Sequence, residues 1–167
     1  MQNKTTRRIC LTALMAAVIY VFTAYIHVPS HTGYTHVGDG FLYLAASLLP
    51  APFAAAAGAI GAGLADLLSG YSIWAPGTVL IKALTAFCFT NSRDRLINKR
   101  NILGILPALF LCVGGYYLYE ALLTGNFAVP ALGIPGYLTQ VALSSVVYLA
   151  LGAALDRAGL KKKLGEI

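Results

Sequence analysis

The chain has 167 residues, of which 58% are hydrophobic and only 11% are charged, and its formal net charge is +6. Soluble proteins carry about 25% charged residues, and a soluble fold of this length could not bury so much apolar surface. The composition therefore excludes a soluble globular domain and predicts an integral membrane protein. The basic residues lie between and beyond the apolar runs instead of forming one patch, which argues against nucleic-acid binding.

Apolar segments of helical length alternate with breaks rich in proline, glycine or charge. A polar loop follows the first helix, Pro50-Ala51-Pro52 ends the second, and Gly70 ends the third. The predicted helices cover about residues 8–27, 38–49, 53–68, 74–90, 102–123 and 137–155. The second helix would span only about 18 Å, so a single kinked helix over residues 39–68 is an alternative.

The distribution of basic residues decides between these topologies. Six spans with a cytoplasmic N-terminus place the cluster Arg93–Arg100 on the same side as Lys4 and the lysines 161–163. The outer loops then carry no lysine or arginine, as the positive-inside rule requires. We therefore predict an all-α, single-domain bundle of six transmembrane helices over residues 1–167. Both termini are cytoplasmic, and the protein is a multi-pass protein of the plasma membrane.

Four ionisable residues fall within the predicted helices: Asp39, Asp66, Lys82 and Glu120. A charge at membrane depth is costly and marks a functional site by default. The topology places all four in the outer third of the bundle, which predicts a binding cavity open to the outside. Three acids against one lysine suit a cationic or donor-rich ligand better than an anion.

Several of these residues also have a purely structural interpretation. Asp66 and Lys82 could neutralise each other as an ion pair, and Asp39 could cap the second helix. Glu120 has no obvious partner and is the stronger candidate for a ligand contact. Trp74, which follows the glycine-capped third helix, is placed to stack on a flat ligand.

Further candidates come from the outer ends of the helices. Tyr116 and Gln140 belong to the fifth and sixth helices, although an interfacial aromatic belt also explains some of the tyrosines. His27, His31 and His36 flank the first outer loop without the tight spacing of metal ligands. We therefore expect these histidines to be polar loop residues within reach of the ligand, and we expect no metal and no cofactor.

Motifs for other functions are absent from the sequence. No P-loop signature, H-E-x-x-H or G-x-S-x-G occurs, so the sequence contains no motif for ATP binding and no catalytic motif for hydrolysis. We therefore predict that the chain is not an enzyme. A stand-alone secondary transporter that binds a proton at Asp39, Asp66 or Glu120 is the alternative function, although the two halves of the chain do not repeat each other.

Several motifs identify a family resemblance over nearly the whole chain. They are the A-x-x-x-A of Ala13 and Ala17, Gly38-Asp39, the run GAGLADLLSGY from Gly61 to Tyr71, Trp74-Ala75-Pro76 and Ile81-Lys82. The chain resembles the substrate-binding S components of energy-coupling factor (ECF) vitamin transporters. Within them it resembles the branch for hydroxymethylpyrimidine, pyridoxine-like compounds and queuosine precursors.

The resemblance implies a function and partners. An S component captures a small heteroaromatic micronutrient with high affinity from outside. It then docks onto a transmembrane T component that two cytoplasmic ATPases drive, and Ala13 and Ala17 would form the docking face. The excess of acidic residues in the predicted cavity favours a ligand with an amine, such as a queuine-like deazapurine.

Overall fold

The computed structural model describes residues 4–29 and 33–165 of the chain. Its helices and strands are α1 Lys4–Ala24, β1 His27–Pro29, β2 Tyr34–His36, α2 Gly38–Leu48, α3 Ala51–Leu68, α4 Ala75–Ala86, α5 Lys99–Thr124, a 3₁₀-helix Val129–Gly133, α6 Ile134–Arg157 and α7 Leu160–Leu164. The predicted all-α class is confirmed, with one small hairpin added to it.

Helix length separates two groups of helices. Within the described residues, four are long and apolar enough to cross a membrane: α1, α3, α5 and the segment Val129–Arg157 that contains α6. The helices α2 and α4 have 11 and 12 residues, so each extends for only about 16–18 Å. Apolar side chains such as Leu103 and Phe110 of α5 remain exposed on the outside of the bundle, as expected for a surface that faces lipid.

The short helix α2 forms the centre of the bundle. Every residue from Gly38 to Leu48 is buried, and the helix packs against α1, α3, α4 and α6. The chain then leaves the helical conformation at Leu49, whose backbone is extended, because the following Pro50 disfavours a helical residue before it. The alternative of one kinked helix over residues 39–68 is therefore wrong.

The segment between α4 and α5 is held by one buried amide. Asn101 Nδ2 donates to Ser47 Oγ at 3.1 Å and to the carbonyl oxygens of Thr90 and Leu96 at 2.9 and 3.0 Å. Because these bonds fix residues 87–98 in a non-helical path, α4 ends at Ala86, four residues before the predicted end. The side chain of Asn98 caps α5 by accepting the Asn101 N–H at 3.1 Å, which moves the start of that helix to Lys99.

The predicted polar loop after α1 contains an antiparallel hairpin. Strand β1 pairs with β2 in the register His27–His36, Val28–Thr35 and Pro29–Tyr34. Residues 30–32, including the candidate His31, lie outside the described residues. The hairpin contacts α6, where Thr35 Oγ1 donates to the carbonyl oxygen of Gly136 at 3.3 Å.

Small residues let α1 and α3 approach each other closely. Gly61 of α3 faces α1, and a Cβ atom added there would lie 2.5 Å from the Ala16 carbonyl oxygen and 2.9 Å from Ile19 Cβ. The neighbouring Gly58, Ala62 and Ala65 are buried as well. These small residues therefore pack inside the bundle.

We predict that Gly61→Ala destabilises the protein by about 1–3 kcal/mol, because the added methyl group meets backbone that cannot move aside. Gly114→Ala in α5 is the matched control, since nothing lies within 4 Å of a Cβ atom at that position. Thermal unfolding in detergent, followed by circular dichroism, measures both variants. Equal midpoints for the two variants would contradict the close α1–α3 contact.

Candidate ligand-binding site

A cavity opens at the end of the bundle where α3 ends, α4 begins and the hairpin lies. Five of the candidate residues line it: His36, Asp66, Trp74, Tyr116 and Gln140. The other lining residues are Gly33, Tyr34, Thr78 and Tyr137. The empty space inside and in front of this lining, open solvent included, measures about 350 Å³.

An ion pair that includes both Asp39 and Lys82 lies buried beside this cavity. Lys82 Nζ lies 2.8 Å from both carboxylate oxygens of Asp39, and neither residue is among those that line the cavity. Gln140 Nε2 donates to Asp39 Oδ2 at 2.8 Å, which adds α6 to the pair. The ammonium group also lies 5.0 Å from the centre of the Tyr116 ring, where a cation–π interaction is favourable.

Two interpretations of Asp39 and Lys82 are therefore wrong. Lys82 does not pair with Asp66, because its ammonium group is held by Asp39 of the central helix. Asp39 makes no capping hydrogen bond for α2, whose N-cap residue is Val37. His36 satisfies the helix end instead, since its Nδ1 accepts the Gly38 N–H at 3.1 Å.

Asp66 takes its hydrogen bond from the hairpin. The hydroxyl of Tyr34 donates to Asp66 Oδ1 at 2.5 Å, and the Tyr34 ring packs against the rings of Tyr71 and His27, each with a centroid distance of 4.7 Å. Burial, and next the charge of Asp66, raise the pKa of Tyr34 above its usual value. Tyr34 thus stays protonated and joins the hairpin to α3.

His36 is the second polar group that the hairpin contributes. It is 5% exposed, and burial lowers the pKa of its imidazole to about 4. The ring is therefore neutral near pH 7. Because Nδ1 accepts the Gly38 N–H, the proton lies on Nε2.

Aromatic rings form the remaining wall of the cavity. Tyr116 and Tyr137 are stacked, with a centroid distance of 5.3 Å and an interplanar angle of 17°. The centre of the Trp74 ring lies 6.2 Å from that of Tyr116, and the Tyr116 hydroxyl lies 3.1 Å from Thr78 Oγ1. Such a surface is suited to a flat apolar or heteroaromatic group.

Glu120 was predicted to contact the ligand and to have no partner in the protein, and the structure places it differently. It is 2% exposed and does not line the cavity. Its Oε2 accepts the hydroxyl proton of Tyr137 at 3.3 Å, so the expectation that Glu120 has no partner is wrong. The carboxylate is joined to a residue of the cavity wall and does not itself belong to that wall.

The other end of the bundle is basic. Lys4, Arg8, Arg93, Lys161 and Lys162 surround a second cavity there. Lys161 Nζ donates to the carbonyl oxygens of Asn91 and Arg93 at 2.9 and 2.6 Å. The start of the described chain, the α4–α5 segment and α7 therefore meet at the end opposite the hairpin.

The small residues of α1 divide between two faces. Ala16 is buried against α3, whereas Ala13 and Ala17 are exposed on the outside of the bundle. Leu14 beside them is 58% exposed. The A-x-x-x-A pair thus lies on a surface that the described residues of this chain leave uncovered.

Comparison with known families gives one match over most of the chain. The model of the family "ECF-type riboflavin transporter, S component" matches residues 3–157. The chain belongs to this family. It is therefore an integral membrane protein and the substrate-binding subunit of an ECF transporter, not an enzyme. No curated protein matches the sequence.

Sequence reasoning missed part of the cavity of this S component. Thr78 gave no signal, because a threonine in an apolar helix is common. Tyr34 and Tyr137 were visible as aromatic residues near the outer loops, which is also where an interfacial belt places them. The alternation in Tyr34-Thr35-His36 was the only local sign of the strand that brings two of the lining side chains to the cavity.

We predict that Lys82→Met destabilises the protein by about 3–5 kcal/mol, because Asp39 is then left as an unpaired buried charge. The double variant Asp39→Asn/Lys82→Met should be clearly more stable than the single variant, since no charge remains and Asn still accepts from Gln140. Thermal unfolding in detergent measures both, with Asp94→Asn at an exposed position as control. If the double variant is as unstable as Lys82→Met, the proposed stabilisation of Asp39 by Lys82 is wrong.

Proposed function

We propose that this S component captures a small heteroaromatic micronutrient from outside the cell and delivers it to an ATP-driven importer. The observation that carries the proposal is the cavity of stacked aromatic rings and buried polar groups beside the hairpin. Aromatic walls bind flat rings, and a few placed polar groups select among them. The family match supports the same role, since S components supply substrate to a T component and its ATPases.

The proposed topology has six spans, with α2 and α4 as short central members and the cavity end facing outwards. The basic end, with Lys4, Arg93 and Lys161, would then face the cytoplasm. The bilayer would be the plasma membrane, because a micronutrient importer acts at the cell boundary. In this arrangement the hairpin roofs the site on the outer surface.

The substrate class follows from the lining of the cavity and from the sequence motifs. The matched family is named for riboflavin, whereas the motifs Gly61–Tyr71 and Trp74–Pro76 resemble the branch for hydroxymethylpyrimidine, pyridoxine-like compounds and queuosine precursors. The aromatic lining of Trp74, Tyr116 and Tyr137 favours a flat heterocycle. We therefore place the ligand in the class of these small heterocycles.

We predict that Trp74→Ala weakens ligand binding about tenfold or more, because a stacked indole contributes roughly 2 kcal/mol or more at such a contact. Calorimetry on the purified chain with hydroxymethylpyrimidine, pyridoxine, queuine and riboflavin measures the affinities. Trp74 is the only tryptophan, so its fluorescence should also change when a ligand binds to the wild-type protein.

Phe127→Ala is the control for this experiment, because Phe127 is 66% exposed and does not line the cavity. Affinity that is unchanged in Trp74→Ala would place the ligand elsewhere. Only weak binding of every heterocycle by the wild-type chain would contradict the proposed substrate class.

The exposed residues Ala13 and Ala17 are the proposed docking face for the T component. Small residues four apart allow another helix to approach closely. We predict that Ala13→Trp/Ala17→Trp keeps wild-type ligand affinity but loses co-purification with the T component and the two ATPases. Uptake by vesicles that contain the whole transporter should be lost as well.

Ala142→Trp is the matched control, since Ala142 is an exposed alanine on α6. Uptake that survives in the double variant would disprove the docking face. Uptake by the lone chain that an uncoupler abolishes and that needs no ATPase would instead favour a proton-coupled secondary transporter.

A further inference from the structure

One buried carboxylate oxygen at the cavity accepts no hydrogen bond from the described residues. Asp66 is 4% exposed, and its Oδ1 accepts from the Tyr34 hydroxyl. Its Oδ2 is buried and accepts no hydrogen bond of normal geometry within the described part of the chain, although the Thr78 hydroxyl lies close to the carboxylate. Buried polar atoms are nearly always satisfied, and those that are not require an explanation. Since Asp66 lines the cavity, a ligand is the partner that this oxygen lacks.

A second acceptor faces the same cavity. Both N–H bonds of the Gln140 amide point to partners in the protein, one to Asp39 Oδ2 at 2.8 Å and one to Cys112 Sγ at 3.8 Å. These partners fix the orientation of the amide. The amide oxygen of this 2% exposed residue is therefore the group that Gln140 offers to a ligand.

The charges around the cavity do not balance. The ammonium group of Lys82 is held by Asp39, and among the described residues no lysine or arginine lines the cavity. His36 is neutral and offers only its Nε2–H as a donor. Asp66 therefore faces the cavity without a cation, which disfavours a ligand that carries a phosphate or a carboxylate.

Because Asp66 Oδ2 and the Gln140 amide oxygen both face this cavity, we propose that the ligand is a heteroaromatic amine whose N–H group donates to Asp66 Oδ2. The Gln140 oxygen is the second acceptor for the same side of the ligand, and His36 Nε2–H donates to a ring nitrogen or hydroxyl. The flat ring lies against Trp74 and Tyr116. This inference rests on the proposed function and narrows its substrate class to ligands with an amino group.

The test compares matched ligands on the purified full chain. Each pair differs at one group: 4-amino-5-hydroxymethyl-2-methylpyrimidine with its 4-oxo analogue, and pyridoxamine with pyridoxine. We expect the amine of at least one pair to bind about tenfold more tightly or better, as a hydrogen bond to a charged group allows. In Asp66→Asn, which keeps the size of the side chain, this preference should disappear, because the amine loses about tenfold more affinity than the oxo or hydroxyl member.

Asp94→Asn at the opposite end is the control with the same chemical change. Equal affinity for both members of every pair in the wild-type protein overturns the inference, and this comparison needs no variant to fold. A preference for the amine that persists in folded Asp66→Asn also overturns it, as does tight binding of riboflavin alone. In these cases the proposed function stands, whereas failure of every heterocycle to bind overturns both.

Discussion

The buried ion pair of Asp39 and Lys82 is the constraint on which the bundle depends. Two charges are stable in an apolar interior only as a well-made pair with further hydrogen bonds. The pair joins the central helix α2 to α4, and Gln140 adds α6. Helices α2, α4 and α6 are thereby held in one geometry, and Asp66 of α3 is the carboxylate that lines the cavity.

The two ends of the molecule have different characters. At the hairpin end, aromatic rings, uncharged polar groups and the carboxylate of Asp66 surround a small cavity. At the other end, basic side chains and the buried amide of Asn101 hold the α4–α5 segment. A substrate-binding subunit needs such a division, since one surface must recognise a solute while the rest of the molecule meets lipid and partner subunits.

The sequence predicted the helices well but not all the contacts between them. Proline and glycine mark the breaks around α2 and α3 correctly, because their backbone restrictions act locally. The predicted ion-pair partner of Lys82, Asp66, was wrong, since sequence spacing gives the depth of a charge in the membrane but not which neighbouring helix it faces. The burial of α2 on every side was not predicted, and the hairpin was missed because its strands have three residues each.

The central position of α2 also bears on how the protein enters the membrane. At roughly 16 Å, and with Asp39 in its first turn, α2 is poorly suited to leave the translocon for lipid by itself. The ammonium group that neutralises Asp39 lies 43 residues later in the chain. During synthesis α2 must therefore be sheltered, by α1 and α3 or by the insertion machinery, until α4 has emerged, and a nascent chain that ends before Lys82 would present an unpaired acid for quality control to detect.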